Sequence, residues 1–194
     1  IAFTGGEPFL NRDLPAMLED VLARGHDALV LTNAMKPMRR HERALIALRA
    51  KHGDRLAVRV SIDHYTRELH ELERGPNSFA PALEGLAWLT RKKFVARVAG
   101  RLYSGEPEAV VRAGYARLFA EYDLPLDAFD AAQLVLFPEV GGGGPARRIT
   151  PDALARLGKS ESDLMCAGAR MAIKRKGAAA PAIVACTLLP YASE

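Results

Sequence analysis

The strongest constraint on the fold of this chain is a regular alternation of strand-like and helix-like segments, with almost no irregular sequence between them. Short apolar runs predict β-strands over residues 1–4, 28–32, 56–62, 94–102 and 133–137. The intervening segments carry the apolar spacing of amphipathic helices, over residues 13–24, 38–52, 79–92 and 107–122. Strands that alternate with helices in this way predict a parallel α/β sheet or barrel.

The pattern changes after a run of glycines at residues 141–144, where we place a domain boundary. Residues 1–140 are predicted to form the α/β domain, and residues 141–194 a linker, a short helix and a β-hairpin. The hairpin prediction comes from two apolar stretches, 169–173 and 182–185, on either side of a basic, Gly- and Ala-rich turn near Lys176. Cys166 and Cys186 flank this turn symmetrically, so the hairpin is expected to bring both thiols to the same end.

Two of the predicted strands carry a polar face opposite an apolar one. The polar residues are Arg59, Ser61 and Asp63 in the third strand, and Arg97, Arg101 and Tyr103 in the fourth. If helices cover the apolar face, the polar face lines a cleft or a barrel lumen suited to a charged ligand. An antiparallel sheet with one solvated face would show the same alternation, although the intervening helices favour parallel strands.

The first predicted strand ends in the sequence Thr4-Gly5-Gly6-Glu7-Pro8. Two glycines allow the backbone to approach a ligand closely, because no Cβ stands in the way. Their carbonyl groups beside a carboxylate would suit an ammonium group. Taken alone, however, Gly-Gly-Glu-Pro is also an ordinary turn.

Four segments, in sequence order, resemble motifs of the radical S-adenosylmethionine (SAM) enzymes, over roughly residues 1–140. Residues 3–10 (Phe-Thr-Gly-Gly-Glu-Pro-Phe-Leu) are similar to the second-strand motif of that family, and residues 31–34 (Leu-Thr-Asn-Ala) to the end of its third strand. Residues 60–64 (Val-Ser-Ile-Asp-His) resemble the SxD end of its fourth strand, and Arg74-Gly75 before Ser78-Phe79 resembles the following loop. The resemblance implies a partial (β/α)6 TIM-like barrel, with strands 2–6 present, and a small C-terminal β-hairpin extension.

The resemblance also implies a SAM site at the strand ends. Gly5, Gly6 and Glu7 are then expected to bind the methionyl amino group. Ser61 and Asp63 are expected to contact the ribose, with Thr32 and Asn33 nearby. Arg97 or Arg101 is expected to pair with the methionyl carboxylate, because a guanidinium offers a bidentate fork, and Arg74 is a weaker candidate for that role.

The sequence departs from the family in one respect, because it lacks the CxxxCxxC motif whose cysteines hold the catalytic [4Fe–4S] cluster. We expect that motif to precede Ile1 in the intact protein, which would make this chain an inactive fragment. The intact enzyme is expected to cleave SAM reductively to a 5′-deoxyadenosyl radical, which abstracts hydrogen from a small-molecule or peptide substrate. It would need an electron donor such as flavodoxin or ferredoxin. The alternative is a catalytically inactive SAM- or peptide-binding relative.

The C-terminal segment resembles the start of a SPASM/twitch-like extension, in which cysteines bind an auxiliary Fe–S cluster. On that resemblance Cys166 and Cys186 are expected to be cluster ligands, although a complete site generally needs four thiolates. The alternative is a pair of buried, chemically idle cysteines.

Composition excludes several other classes of protein. Hydrophobic residues make up 49% and charged residues 26%, as in ordinary soluble proteins, and no apolar stretch approaches the roughly 20 residues of a membrane span. Because no secretory leader is evident, we expect a cytoplasmic protein. The net charge of +4 is spread along the chain, so we expect no nucleic-acid partner. A phosphate site at Gly5-Gly6 would need a helix to begin there, and Pro8-Phe9-Leu10 delay it.

Overall fold

The computed structural model describes residues 1–138 and 152–184. The chain divides into two compact units, Ile1–Gly142 and Gly143–Glu194. None of the helices in the described ranges combines the length and the apolar character needed to cross a bilayer.

The first unit contains a five-stranded parallel sheet in which each strand lies beside its neighbours in sequence. The strands are β1 (Ala2–Phe3), β2 (Ala28–Thr32), β3 (Leu56–Ser61), β4 (Val95–Leu102) and β5 (Leu134–Pro138). Six helices connect them: α1 (Leu14–Ala23), α2 (Lys36–Arg39), α3 (Glu42–His52), α4 (Arg67–Arg74), α5 (Phe79–Arg91) and α6 (Glu108–Glu121). A 3-10 turn at Pro8–Leu10 follows β1.

Helices pack on one face of this sheet and form the core with it. On α1 the buried residues Leu14, Leu18 and Leu22 repeat every four positions, which places them on a single helix face. On β3 the side chains of Val58 and Val60 are fully buried, whereas Arg59 and Ser61, which alternate with them, are polar and only partly buried. The parallel α/β prediction is therefore confirmed, and the antiparallel alternative is wrong for this sheet. Closure into a barrel stays a prediction.

Two helices differ from the sequence predictions. The predicted helix over residues 38–52 is divided into α2 and α3, and α4 was not predicted. In α4 the sequence Arg-Glu-Leu-His-Glu-Leu-Glu-Arg consists mainly of strong helix formers, but His70 is its only buried residue and Leu72 is 74% exposed. A helix whose only buried residue is a histidine cannot be recognised from the spacing of buried apolar residues.

Glycine permits one close approach between helix and sheet that bears on the site. A Cβ added to Gly85, on α5, would lie 2.0 Å from the carbonyl oxygen of Ala34, in the turn that follows β2. Ala34 itself has a positive φ of 57°, which is uncommon for a residue with a side chain. The missing side chain of Gly85 therefore allows this turn to lie directly against α5.

The second unit contains the short helices α7 (Ala153–Arg156) and α8 (Met165–Gly168) and the strands β6 (Met171–Ile173) and β7 (Ala182–Val184). The two strands pair antiparallel, with Met171 opposite Val184 and Ile173 opposite Ala182, so the predicted hairpin is present. Cys166 belongs to α8, and Cys186 lies outside the described residues. The predicted convergence of the two thiols therefore stays a prediction.

Candidate active site

The carboxyl ends of β2, β3 and β4 meet at one edge of the sheet, where they border a cavity of about 320 Å³. Helices α4 and α5 supply the other wall. The lining residues are Asn33, Met35, Ser61, Asp63, His70, Glu73, Arg74, Ser78, Ala82 and Arg101. The cavity thus brings together Asn33, Ser61, Asp63 and Arg101, four predicted site residues from the ends of three separate strands.

Asp63 is the most buried carboxylate of this cavity, with only 5% of the residue exposed. The Nε and Nη2 atoms of Arg74 bind its two carboxylate oxygens at 2.7 and 3.0 Å, which is the bidentate geometry of a strong charge-assisted pair. The carbonyl of Asp63 also accepts a hydrogen bond from the backbone amide of Arg101. Asp63 is therefore fixed relative to both α4 and β4.

A second ion pair crosses the cavity between Arg101 of β4 and Glu73 of α4. The Arg101 guanidinium also lies over the Tyr103 ring, 5.2 Å from its centroid. Each cationic side chain of the cavity thus faces a carboxylate. The arrangement is electrically mixed rather than a simple cation or anion site.

Glu7 connects the loop after β1 to the end of β2. Its carboxylate accepts hydrogen bonds from the Thr32 hydroxyl at 2.8 and 3.0 Å, from the Asn33 amide at 2.8 Å and from the Phe9 amide at 3.1 Å. The Thr32 hydroxyl in turn accepts from the Ala34 amide. Glu7 and Thr32 are thus engaged with each other and hold the turn that presents Asn33 to the cavity.

The remaining candidates lie outside the lining of this cavity. Gly5 and Gly6 follow β1 with φ values of 105° and 21°, and a Cβ built on either would meet no atom within 4 Å. Their backbone is therefore open to a ligand at the same edge of the sheet. Arg97 lies four residues before Arg101 on the same face of β4, and it lines a separate cavity of about 420 Å³. Arg97 and Arg101, the two alternatives for pairing with the methionyl carboxylate, thus line different cavities.

His70 lines the cavity although sequence reasoning did not select it. The residue is fully buried, and its Nδ1 accepts a hydrogen bond from the Asp63 amide at 3.1 Å. Because Nδ1 is the acceptor, the proton of the neutral ring lies on Nε2, which is buried without a hydrogen-bond partner among the described residues. Burial lowers the pKa of His70 below its ordinary value of 6.5, so the ring is neutral at pH 7.

The depressed pKa of His70 predicts acid sensitivity. The His70 pKa is 6.5 in the unfolded chain and lower in the folded one. At a pH between these two values, the His70 ring therefore binds a proton more readily in the unfolded chain. The His70 contribution to stability is therefore complete above pH 6.5 and decreases as the pH falls, by at most about 1.4 kcal/mol per pH unit. We expect His70→Gln to reduce the slope of unfolding free energy against pH between pH 7 and 5, measured by urea titration. Replacing the exposed His26 by Gln is the control, and equal slopes in both variants would contradict the prediction.

A second polar cluster ties together the loops that follow β3 and β4. The Glu106 carboxylate accepts hydrogen bonds from the Tyr65 hydroxyl at 2.6 Å and the Ser104 hydroxyl at 2.7 Å, and it lies 3.1 Å from Nε2 of His64. These hydrogen bonds lower the pKa of Glu106 and raise that of Tyr65. The cluster fixes the two loops to each other beside the cavity.

The residues that sequence reasoning missed come chiefly from α4. His70 and Glu73 lie on a helix without an apolar stripe, and their connection to Asp63 and Arg101 is made only by folding. The one available signal was the similarity of Arg74-Gly75 to a family loop, which pointed to the end of this helix.

Comparisons with known proteins show that this chain shares its fold with solved structures. No protein-family model matches the chain, and no curated protein matches it. Among solved structures, SuiB of Streptococcus suis bound to S-adenosylmethionine matches with a TM-score of 0.54 and 12% identity, over 81% of this chain and 33% of SuiB. A second SuiB structure matches with a TM-score of 0.50 and 14% identity, over 80% and 33% of the two chains. The chain thus spans about a third of the length of SuiB, and the likeness is one of fold.

Proposed function

We propose that this chain forms the SAM-binding part of a radical SAM enzyme, with SAM held in the cavity between β2, β3, β4 and α4. The observation that carries the proposal is the convergence of Asn33, Ser61, Asp63 and Arg101 on one cavity. Its volume of about 320 Å³ falls within the range of roughly 300–1,000 Å³ typical of ligand sites. The fold shared with a SAM-bound protein supports the same ligand class.

The chemistry of the lining residues suits the polar parts of SAM. Each Asp63 oxygen that binds Arg74 has further acceptor capacity, which a ribose hydroxyl can use. The Ser61 hydroxyl, on the same strand face, lines the cavity, makes no hydrogen bond within the described residues and is available as a second contact. The pairs Asp63–Arg74 and Glu73–Arg101 give the lining charges of both signs, which matches a ligand that carries a carboxylate, an ammonium group and a sulfonium ion.

The amino acid part of SAM would lie toward β1 and β4. The exposed backbone of Gly5 and Gly6 can approach the methionyl ammonium group, because neither residue has a side chain in the way. Arg101 would pair with the methionyl carboxylate, and in doing so it would exchange or share its present partner Glu73. In this proposal Glu7 and Thr32 do not contact SAM themselves. They hold the turn that carries Asn33.

The residues of this chain do not fit the catalytic [4Fe–4S] cluster of the family. The sequence has two cysteines, and the described residues contain no group of three or more His, Cys, Asp or Glu side chains placed to hold a metal ion. Radical cleavage of SAM, with an electron donor and a small-molecule or peptide substrate, is therefore proposed only for a polypeptide that also supplies three cysteines. An auxiliary Fe–S cluster at Cys166 and Cys186 would likewise need further ligands.

Titration calorimetry of the 194-residue chain with SAM tests the proposed site. We expect saturable binding, and we expect Asp63→Asn to weaken it by about tenfold or more, because a charge-assisted contact contributes about 1.5–3 kcal/mol. Asp20→Asn is the matched control, since Asp20 also pairs with an arginine but lies exposed on α1. Circular dichroism would establish that both variants are folded.

Two results would overturn the proposed site. One is the absence of saturable SAM binding by the folded chain, and the other is unchanged affinity in a folded Asp63→Asn variant. If the protein is a catalytically inactive relative, a longer polypeptide should also bind SAM but should not cleave it. Iron content and 5′-deoxyadenosine formation in that polypeptide would separate the two alternatives.

A further inference from the structure

Two arginines lie side by side on the polar face of the sheet, and neither lines the SAM cavity proposed above. Arg59 of β3 and Arg97 of β4 are direct partners in the parallel register, so their Cα atoms are separated by about 4.8 Å, the usual distance between strands. Among the described residues neither side chain forms an ion pair. Like charges at this distance repel each other, and adjacent strands normally avoid such a pairing.

Arg59 carries an additional unsatisfied group. Its Nε atom is buried and has no hydrogen-bond partner within the described parts of the chain. Buried polar atoms are nearly always hydrogen-bonded, and an orphaned donor on a cation is costly. Burial, and to a smaller extent the charge of Arg97, lower the pKa of the Arg59 guanidinium. Both effects would be relieved by an anion placed against the pair.

The residues beside the pair are not bulky, and a cavity lies next to one of the two arginines. The neighbouring residues on the same strand faces are small or medium-sized: Ala57, Ser61, Val95 and Ala99. Arg97 also lines the cavity of about 420 Å³, together with Lys93 and Gln133, and no lining residue of that cavity is acidic. The charge of Arg97 has a small effect on the nearby Asp130 carboxylate. That carboxylate accepts hydrogen bonds from the Ala132 amide at 2.7 Å and the Gln133 side chain at 2.8 Å, and within the described residues it forms no ion pair with Arg97.

We propose that Arg59 and Arg97 form an oxyanion-binding site that takes a carboxylate or phosphate group of a second ligand. Two guanidinium groups on adjacent, registered positions can together supply several N–H donors to one anion, which suits the planar oxygens of a carboxylate or the tetrahedral oxygens of a phosphate. Along β4 the site lies four residues from Arg101, or about 13 Å at the usual rise of a strand. Arg59 lies two residues from Ser61, so the oxyanion site is adjacent to the cavity proposed for SAM, but neither arginine lines that cavity.

The side-chain Nε–H resonances of arginine provide a direct test. The 194-residue chain, labelled with nitrogen-15, would be titrated with inorganic phosphate and separately with acetate, with sodium chloride at equal ionic strength as the reference. We expect the Arg59 and Arg97 signals, assigned by their loss in Arg59→Lys and Arg97→Lys, to shift and saturate with at least one oxyanion. Arg97→Gln should raise the dissociation constant at least about tenfold, because a charged hydrogen bond is lost. Arg91→Gln, an exposed arginine on α5, should leave it unchanged.

The outcomes separate this proposal from that for SAM. Saturation by acetate assigns a carboxylate ligand, and saturation by phosphate alone assigns a phosphate ligand. Shifts that grow linearly with salt, or that are the same in Arg97→Gln and Arg91→Gln, would overturn the site whether or not SAM binds. If Arg97→Gln does not fold, Arg97→Lys is used instead, because lysine keeps the positive charge but lacks the paired N–H donors of a guanidinium group. Undiminished oxyanion affinity in that variant would likewise overturn the bidentate site.

Discussion

Replacing Gly85 by alanine is expected to lower the free energy of unfolding by about 3 kcal/mol, although Gly→Ala within a helix ordinarily stabilises a protein by about 0.5–1 kcal/mol. The added Cβ would lie 2.0 Å from the Ala34 carbonyl oxygen and 2.8 Å from the Ala34 Cβ. The obstructing atoms include backbone, which cannot rotate away as a flexible side chain would. Urea denaturation of the wild-type and variant chains measures the difference.

The same substitution should also weaken ligand binding at the proposed site. Ala34 directly follows Asn33, which lines the cavity, so a displaced turn would move Asn33 with it. Gly168→Ala is the control, because Gly168 ends α8 and a Cβ there would meet no atom within 4 Å. A Gly85→Ala variant as stable as the Gly168→Ala variant would show that α5 and this turn are not in close contact.

Replacing Glu7 by alanine is expected to cost about 2–3 kcal/mol of stability and to reduce SAM affinity by about tenfold or more. The Thr32 hydroxyl and the amides of Asn33 and Phe9 would lose their common acceptor, and Thr32 is only 3% exposed. Water can reach the site of Glu7 only in part, so not all of these donors would be satisfied again. Urea denaturation and SAM calorimetry measure the two effects.

Glu7→Gln provides a graded comparison, because the amide keeps one acceptor oxygen but replaces the other with a donor. We expect its stability to fall between those of the wild type and Glu7→Ala. Glu84→Ala, an exposed glutamate on α5, controls for the loss of one carboxylate. Loss of SAM affinity in Glu7→Ala without any loss of stability would contradict a holding role and would favour direct contact with the ligand.

Local sequence pattern was sufficient to predict the sheet and most of its helices. The alternation of Val58 and Val60 with Arg59 and Ser61 gave the orientation of β3, because a strand with one covered face must repeat every two residues. Helix α4 was missed for the converse reason: its only buried residue is His70, and its contacts with the sheet are polar, so no apolar face marks it in the sequence.

The candidate site could be predicted only as far as residues near strand ends. The ion pairs of Asp63 with Arg74 and of Arg101 with Glu73 depend on where α4 lies over the sheet, which no local pattern specifies. The distance between Arg97 and Arg101 could have been predicted from the sequence, because four residues of a strand span about 13 Å. Motif resemblance selected both because it identifies residue types and their order rather than distances.

The strand order, finally, bears on how this domain emerges from the ribosome. Within the described sheet, β2 to β5 each pair with the strand that precedes them in the sequence, over separations of about 27–38 residues. The entropic cost of closing such loops grows only slowly with their length. The sheet can therefore grow one strand at a time, in the direction of synthesis, and each new helix can cover the apolar surface of the strands already in place.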